Sequence, residues 1–149
     1  MSEWKGLAVP DLRSPAARTP RDVLDRYYQA MLDKSADDLA DLYALDAVHE
    51  FPFTSPGFPV RFEGREAVRA GHRAAWDASP ARAAEIRRVA AYETTEPGVI
   101  VAEQVVVGAV PGGDTTFGVP GLLRLHVRDG PLTRVRDCMD SAGVAAARP

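Results

Sequence analysis

Cysteine is almost missing from this 149-residue chain: Cys138 stands alone, which excludes an internal disulfide framework and a cysteine-based zinc site. Histidine is scarce too. His49, His72 and His126 are scattered, with no helical or strand pairing that would make them metal ligands. No apolar run approaches membrane-spanning length, and nothing near Met1 resembles the apolar core of a signal peptide, so a cytoplasmic location without membrane contact is expected. A basic excess is also absent. The 18 Lys+Arg residues, mostly arginine, are interleaved with 21 acids, for a net charge of −3. That balance, with a pI near 5.6, speaks against a nucleic-acid surface. Internal repeats and a second domain are not visible. What remains is an ordinary globular composition, 46% hydrophobic and 26% charged, long enough for one sizeable core.

Proline, glycine and hydrophobic spacing divide the chain. Residues 1–19, broken by Pro10 and Pro15, read as an extended arm with Trp4 and Leu7 as docking anchors, and residues 144–149 as a tail. Thr19-Pro20-Arg21-Asp22 predicts a helix start, and Val23, Tyr27, Ala30 and Met31 recur at helical spacing to about Lys34. Ser35 with Asp38 resembles a capping box and opens a second short helix carrying Leu39, Leu42 and Tyr43. A strand through His49 follows, then a Pro/Gly loop from Pro52 to Pro59. Gly64-Arg65-Glu66 leads into a third helix with His72 and Trp76 on one side, the usual spacing of a core or pocket wall.

Beyond Ser79-Pro80 the period changes to two. Strands are predicted near Ala83–Glu93, Val99–Val110, Thr115–Arg128 and Leu132–Ala142, with turns at Gly98, Gly112-Gly113 and Asp129-Gly130. Gly112-Gly113-Asp114 is a hairpin turn rather than a phosphate cradle, because no helix follows it. Helices followed by consecutive strands predict an α+β domain over residues 20–143.

Strand parity selects candidate chemistry. Ala47, His49 and Phe51 share one face of their strand, and Val48 and Glu50 the other. Val135, Asp137 and Met139 share a face opposite Arg136 and Cys138. Each strand thus sets one ionisable group between apolar neighbours, where desolvation can tune proton chemistry. Asp137 could instead pair with Arg134 or Arg136, but both point to the opposite face. His49 could equally be a core histidine donating to a backbone carbonyl. Gln104 shares a face with Ala102 and Val106, which suits a ligand hydrogen-bonder; Leu123 and Leu125 alternate with Arg124 and His126. Tyr27 lies on a helical apolar stripe, its hydroxyl either packed or turned into a cavity. Val99, Val101, Val105 and Val107 make the second strand of the run apolar on both faces, so its outer face is expected to pack on a second copy of the chain.

The order of elements, with Leu42-Tyr43-Ala44-Leu45-Asp46-Ala47-Val48-His49 and Val127-Arg128-Asp129-Gly130-Pro131-Leu132-Thr133-Arg134-Val135-Arg136-Asp137, resembles the SnoaL-like proteins of the nuclear transport factor 2-like superfamily. The group includes polyketide cyclases, limonene epoxide hydrolase and ketosteroid isomerase. The resemblance implies a cone: a curved antiparallel sheet wrapped on three helices, holding a small apolar ligand in its mouth without a cofactor. It places Asp137 where the hydrolase has a catalytic aspartate. Gln104 and Val106 stand where that enzyme has an arginine and a second aspartate, so its relay is not reproduced. His49 and Phe51 fall at its water-positioning tyrosine and asparagine. The ketosteroid isomerase base falls at Phe51 and its protonated acid near Leu123, and only its helix-1 tyrosine has an equivalent, Tyr27.

The resulting expectation is a cofactor-free acid/base enzyme on a small hydrophobic, polyketide-like metabolite, by cyclisation, isomerisation or epoxide opening. Asp137, His49 and Tyr27 would be catalytic, in a cavity lined by Phe51, Trp76, Gln104, Val106, Leu123, Leu125 and Met139. A non-catalytic ligand holder of a biosynthetic pathway is the alternative, favoured by the residues at 104 and 106.

Overall fold

Caps and breaks in the sequence set most element boundaries in the computed structural model, which describes residues 18–147. The expected arm with Trp4 and Leu7 lies outside them except for its last two residues, as do the final two residues of the tail. Helix α1 (Pro20–Asp33) begins with a complete capping box: the Thr19 hydroxyl accepts from the Asp22 N–H at 3.2 Å and the Asp22 carboxylate from the Thr19 N–H at 2.9 Å. Helix α2 (Ala36–Ala40) has half of one. Ser35 Oγ accepts from the Asp38 N–H at 3.1 Å, but the Ser35 N–H donates to the Ala30 carbonyl instead.

The chain leaves α2 sooner than the spacing of Leu42 and Tyr43 suggests, and Tyr43 opens strand β1 (Tyr43–Glu50). The three-residue edge strand β2 (Arg61–Glu63) has no counterpart in the sequence pattern. Its pairing with Val48–Glu50, not a β pattern of its own, makes it a strand. Helix α3 (Arg65–Asp77) and strands β3 (Arg82–Glu93), β4 (Val99–Ala109), β5 (Thr116–Val127) and β6 (Leu132–Met139) fall close to expectation. The last strand stops short of Ala142 because Asp140 caps a helix, α4 (Ser141–Ala147), its carboxylate accepting from the Gly143 N–H at 3.0 Å. At the β5–β6 turn, Asp129 and Gly130 both take positive φ, 57° and 107°, the requirement of a type I′ hairpin.

The six strands form one open sheet in the order β2-β1-β6-β5-β4-β3. Neighbours are antiparallel except β1 and β6, which are parallel, so the sheet is mixed. Register shifts at Ala83/Glu85 and Arg88/Ala90 bend β3, as bulges do. With helices packed on the concave side, this is an α+β cone. Val23, Leu24, Tyr27 and Leu39 of α1 and α2 pack on Ile100, Ala102, Leu123, Leu125, Leu132 and Val135. No helix among the described residues is long and apolar enough to cross a membrane.

Candidate active site

The concave sheet face is a grid of inward-pointing residues. One row is His49–Val135–Leu125–Ile100, each partner opposite the next on β1, β6, β5 and β4. All four are 0–1% exposed. The next row outward is Asp137–Leu123–Ala102, and the one after it Met139–Gly121–Gln104. A cavity of about 470 Å³ stands on these two outer rows. Its wall among the described residues includes Tyr27, Phe51, Trp76, Gln104, Val106, Leu123, Asp137 and Met139. Two residues expected in that wall are not there. His49 and Leu125 belong to the sealed row beneath the cavity floor. Parity assigns a face of the sheet, but not the depth at which helix α1 stops filling the cone.

Asp137 faces the cavity because its arginine neighbours are engaged on the other side of the sheet. Arg134 Nε lies 3.2 Å from one oxygen of Glu50 and Arg136 donates to the other at 2.8 Å. Among the described residues no arginine pairs with Asp137. Its partner is His49: Nε2 lies 3.1 Å from Asp137 Oδ2, and Nδ1 lies 2.7 Å from the Tyr43 hydroxyl. A carboxylate only accepts, so Nε2 carries a proton; on an uncharged ring the Nδ1 lone pair then takes the Tyr43 O–H. Tyr43 is hydrogen-bonded in turn to Tyr27, which reaches the cavity. Burial above all, with the Asp137 charge adding to it, pushes both phenols well above their ordinary pKa. They remain protonated donors. The sequence pattern misses Tyr43 because helical spacing claims it for the element before β1, where parity with His49 has no meaning.

Gln104 is fixed by another helix residue. The Tyr28 hydroxyl donates to Gln104 Oε1 at 2.8 Å, which leaves the amide N–H groups as the donors on the cavity side. Burial raises the Tyr28 phenol to about 12, opposed by the Arg88 guanidinium 4.9 Å over its ring. Gly121 keeps the neighbouring grid position open: a Cβ there would sit 3.0 Å from Gln104 Nε2.

The remaining wall is aromatic. Phe51 and Phe62 meet edge to face at 5.5 Å between centroids, and His72 packs against Phe62, His49 and Trp76 at 5.7, 5.0 and 5.3 Å. Phe62 fits only because residue 71 has no side chain; a Cβ on Gly71 would lie 2.3 Å from the Phe62 ring. Gly71→Ala gains about 1 kcal/mol of helix propensity. Displacing the ring costs about 1–3 kcal/mol. The clash is expected to win, giving a net loss of stability in chemical denaturation. At the rim, Lys34 Nζ donates to the Ser79 carbonyl at 2.6 Å. Among the described residues no cluster of His, Cys, Asp and Glu is placed to hold a metal ion.

The SnoaL-like domain family model matches residues 24–135, and the chain belongs to that family. An uncharacterised PhzA/B-like protein of Pseudomonas aeruginosa is 29% identical over 119 residues, covering 78% of this chain and 81% of the relative. A proposed isomerase from Bacillus subtilis has the same fold, with a TM-score of 0.77 at 23% identity over 86% of this chain and 91% of that one. A proposed polyketide cyclase from Xanthomonas campestris pv. campestris superposes with a TM-score of 0.66 at 24% identity, over 90% of this chain and 98% of the other.

Proposed function

We propose that this SnoaL-like protein is an acid/base enzyme needing no cofactor, moving a proton at a carbon next to a carbonyl of a small hydrophobic, polyketide-like compound. One observation carries this reading: a mostly apolar cavity holds a carboxylate that no lysine or arginine among the described residues pairs with, one oxygen of which is held by His49, itself bonded to the buried Tyr43 phenol. Asp137 Oδ2 is held by His49, and Oδ1 is left toward the ligand. In the forward step Oδ1 takes the proton from carbon, and the electron pair moves onto the carbonyl oxygen as an enolate. Gln104 N–H groups are donors for that oxygen, at the point where charge develops. The enolate then attacks a second carbonyl, as in aldol-type cyclisation, or takes its proton back elsewhere, as in isomerisation. Asp137 returns the proton in either case. His49, sealed from the cavity, positions Asp137 and keeps Oδ2 occupied rather than touching substrate. Tyr27 spends its O–H on Tyr43 and so closes the chain behind His49 rather than offering the substrate a second donor.

A fold hosts many chemistries and also plain binders. The neutral pair Gln104 and Val106 favours the second reading, a ligand holder without turnover. Deuterium exchange into 2-tetralone and 9-anthrone, followed by NMR in D2O, separates the two. Exchange above the buffer rate supports the enzyme. Saturable binding of these ketones with no exchange above background, and none with related diketones, points to the holder.

The outer face of β4 supports a homodimer as part of this proposal. Val101, Val105 and Val107 are only partly covered, beside exposed Leu122 and Tyr92 on the neighbouring strands. An apolar patch of that kind is an interface or an aggregation hazard. Val105→Lys is expected to convert a dimer to a monomer in sedimentation velocity. A monomer already in the wild type at micromolar concentration would refute the interface.

A further inference from the structure

His72 takes no part in the proton chain, yet its ring is locked in the cavity wall. Its Nδ1 lies 3.0 Å from the Val68 carbonyl, one turn earlier on α3. A carbonyl only accepts, so Nδ1 carries the hydrogen and Nε2 keeps its lone pair. Three aromatic neighbours, His49, Phe62 and Trp76, hold the ring plane. Burial first, then the adjacent His49, lowers the imidazole to about 4, so it is neutral near pH 7. Nε2 has no hydrogen-bond partner among the described residues, and the residue lines the cavity. Nε2 is thus a neutral acceptor held in place in the cavity wall.

We propose that His72 is a positioning residue whose Nε2 accepts a hydrogen bond from a substrate hydroxyl, so that the ligand class is a phenolic or enolic ring compound rather than a bare hydrocarbon or an ether. This rests on the cavity being a small-molecule site. Asp137 Oδ1 is the competing acceptor, and the test must separate the two.

The probes are 9-phenanthrol, 9-methoxyphenanthrene and phenanthrene, titrated by fluorescence at pH 7.5. Wild type is expected to bind the phenol about tenfold more tightly than the ether, the worth of one hydrogen bond to an acceptor in the cavity wall. His72→Phe should erase that preference and hold phenanthrene within about threefold; His72→Gln, which restores an acceptor, should recover part of it. Asp137→Asn should retain the preference. A preference that survives in His72→Phe, or disappears in Asp137→Asn with His72 intact, overturns the proposal in favour of Asp137. Should His72→Phe fail to fold, the Asp137→Asn comparison decides alone. If phenanthrene binds and the phenol has no advantage in the wild type, the His72 inference fails and the cavity reading stands. If none of the three probes binds, the cavity reading fails and takes the inference with it.

Discussion

Asp137→Asn should leave ketone binding within severalfold and slow deuterium exchange about 10²–10⁴-fold, the usual worth of a positioned general base. The substitution is close to isosteric, and the grid position opposite Leu123 is unchanged. An amide can still accept from His49 Nε2 through its oxygen, so the 3.1 Å contact has a neutral replacement. What is lost is the negative charge and the proton affinity. A structural carboxylate would show the opposite pattern: normal exchange with lowered stability. Tyr43→Phe gives the complementary control, because it removes the donor to His49 Nδ1 without touching the cavity. Equal exchange rates in wild type and Asp137→Asn would end the assignment of Asp137 as the base.

The inward set is legible from alternation alone. Ala47, His49 and Phe51 are buried as a group, and Glu50 gathers Arg134 and Arg136 on the outer face. The depth of the cavity is not legible, because it depends on where α1 and α3 lie over the sheet. That single unknown misplaces both His49 and Leu125. Tyr43 is hidden by a boundary: α2 ends at Ala40, and the irregularity between Tyr43 and Val48 turns Leu45 outward, 74% exposed, which breaks the parity that would link Tyr43 to His49. Phe62 is hidden in a three-residue strand with no pattern of its own, and with it the meaning of Gly71. His72 and Trp76 are visible as a helical pair, but a turn of spacing cannot distinguish a core stripe from a cavity wall. The difference lies in the His72 tautomer, which the Val68 carbonyl sets.

Acid should destabilise the fold through His72 before it acts through Asp22 and Asp37, both held below the ordinary carboxylate value by their hydrogen bonds. The imidazole titrates near 6.5 in an unfolded chain and near 4 in the folded one. Between those values the unfolded chain binds a proton that the folded chain refuses, so stability rises with pH across the window. The contribution is complete above about pH 6.5 and falls away as pH drops toward 4. Below that value both states are protonated and nothing further is lost. From pH 7 to pH 4.5 the expected loss is about 2 kcal/mol, because each tenfold difference in proton affinity between the two states is worth about 1.4 kcal/mol. Burial is the main cause and the adjacent His49 adds to it, while the Val68 carbonyl and Asp137 oppose. Asp37, lowered by its hydrogen bonds to Arg69 and Arg73, titrates below its ordinary value of 3.8 and so acts only at lower pH. Denaturant unfolding of wild type and His72→Phe at both pH values isolates the effect, since contributions common to the two proteins cancel. The wild type should lose about 2 kcal/mol more than the variant over this interval. Equal losses would mean that His72 protonates freely in the folded protein and that its ring is not held as a buried acceptor.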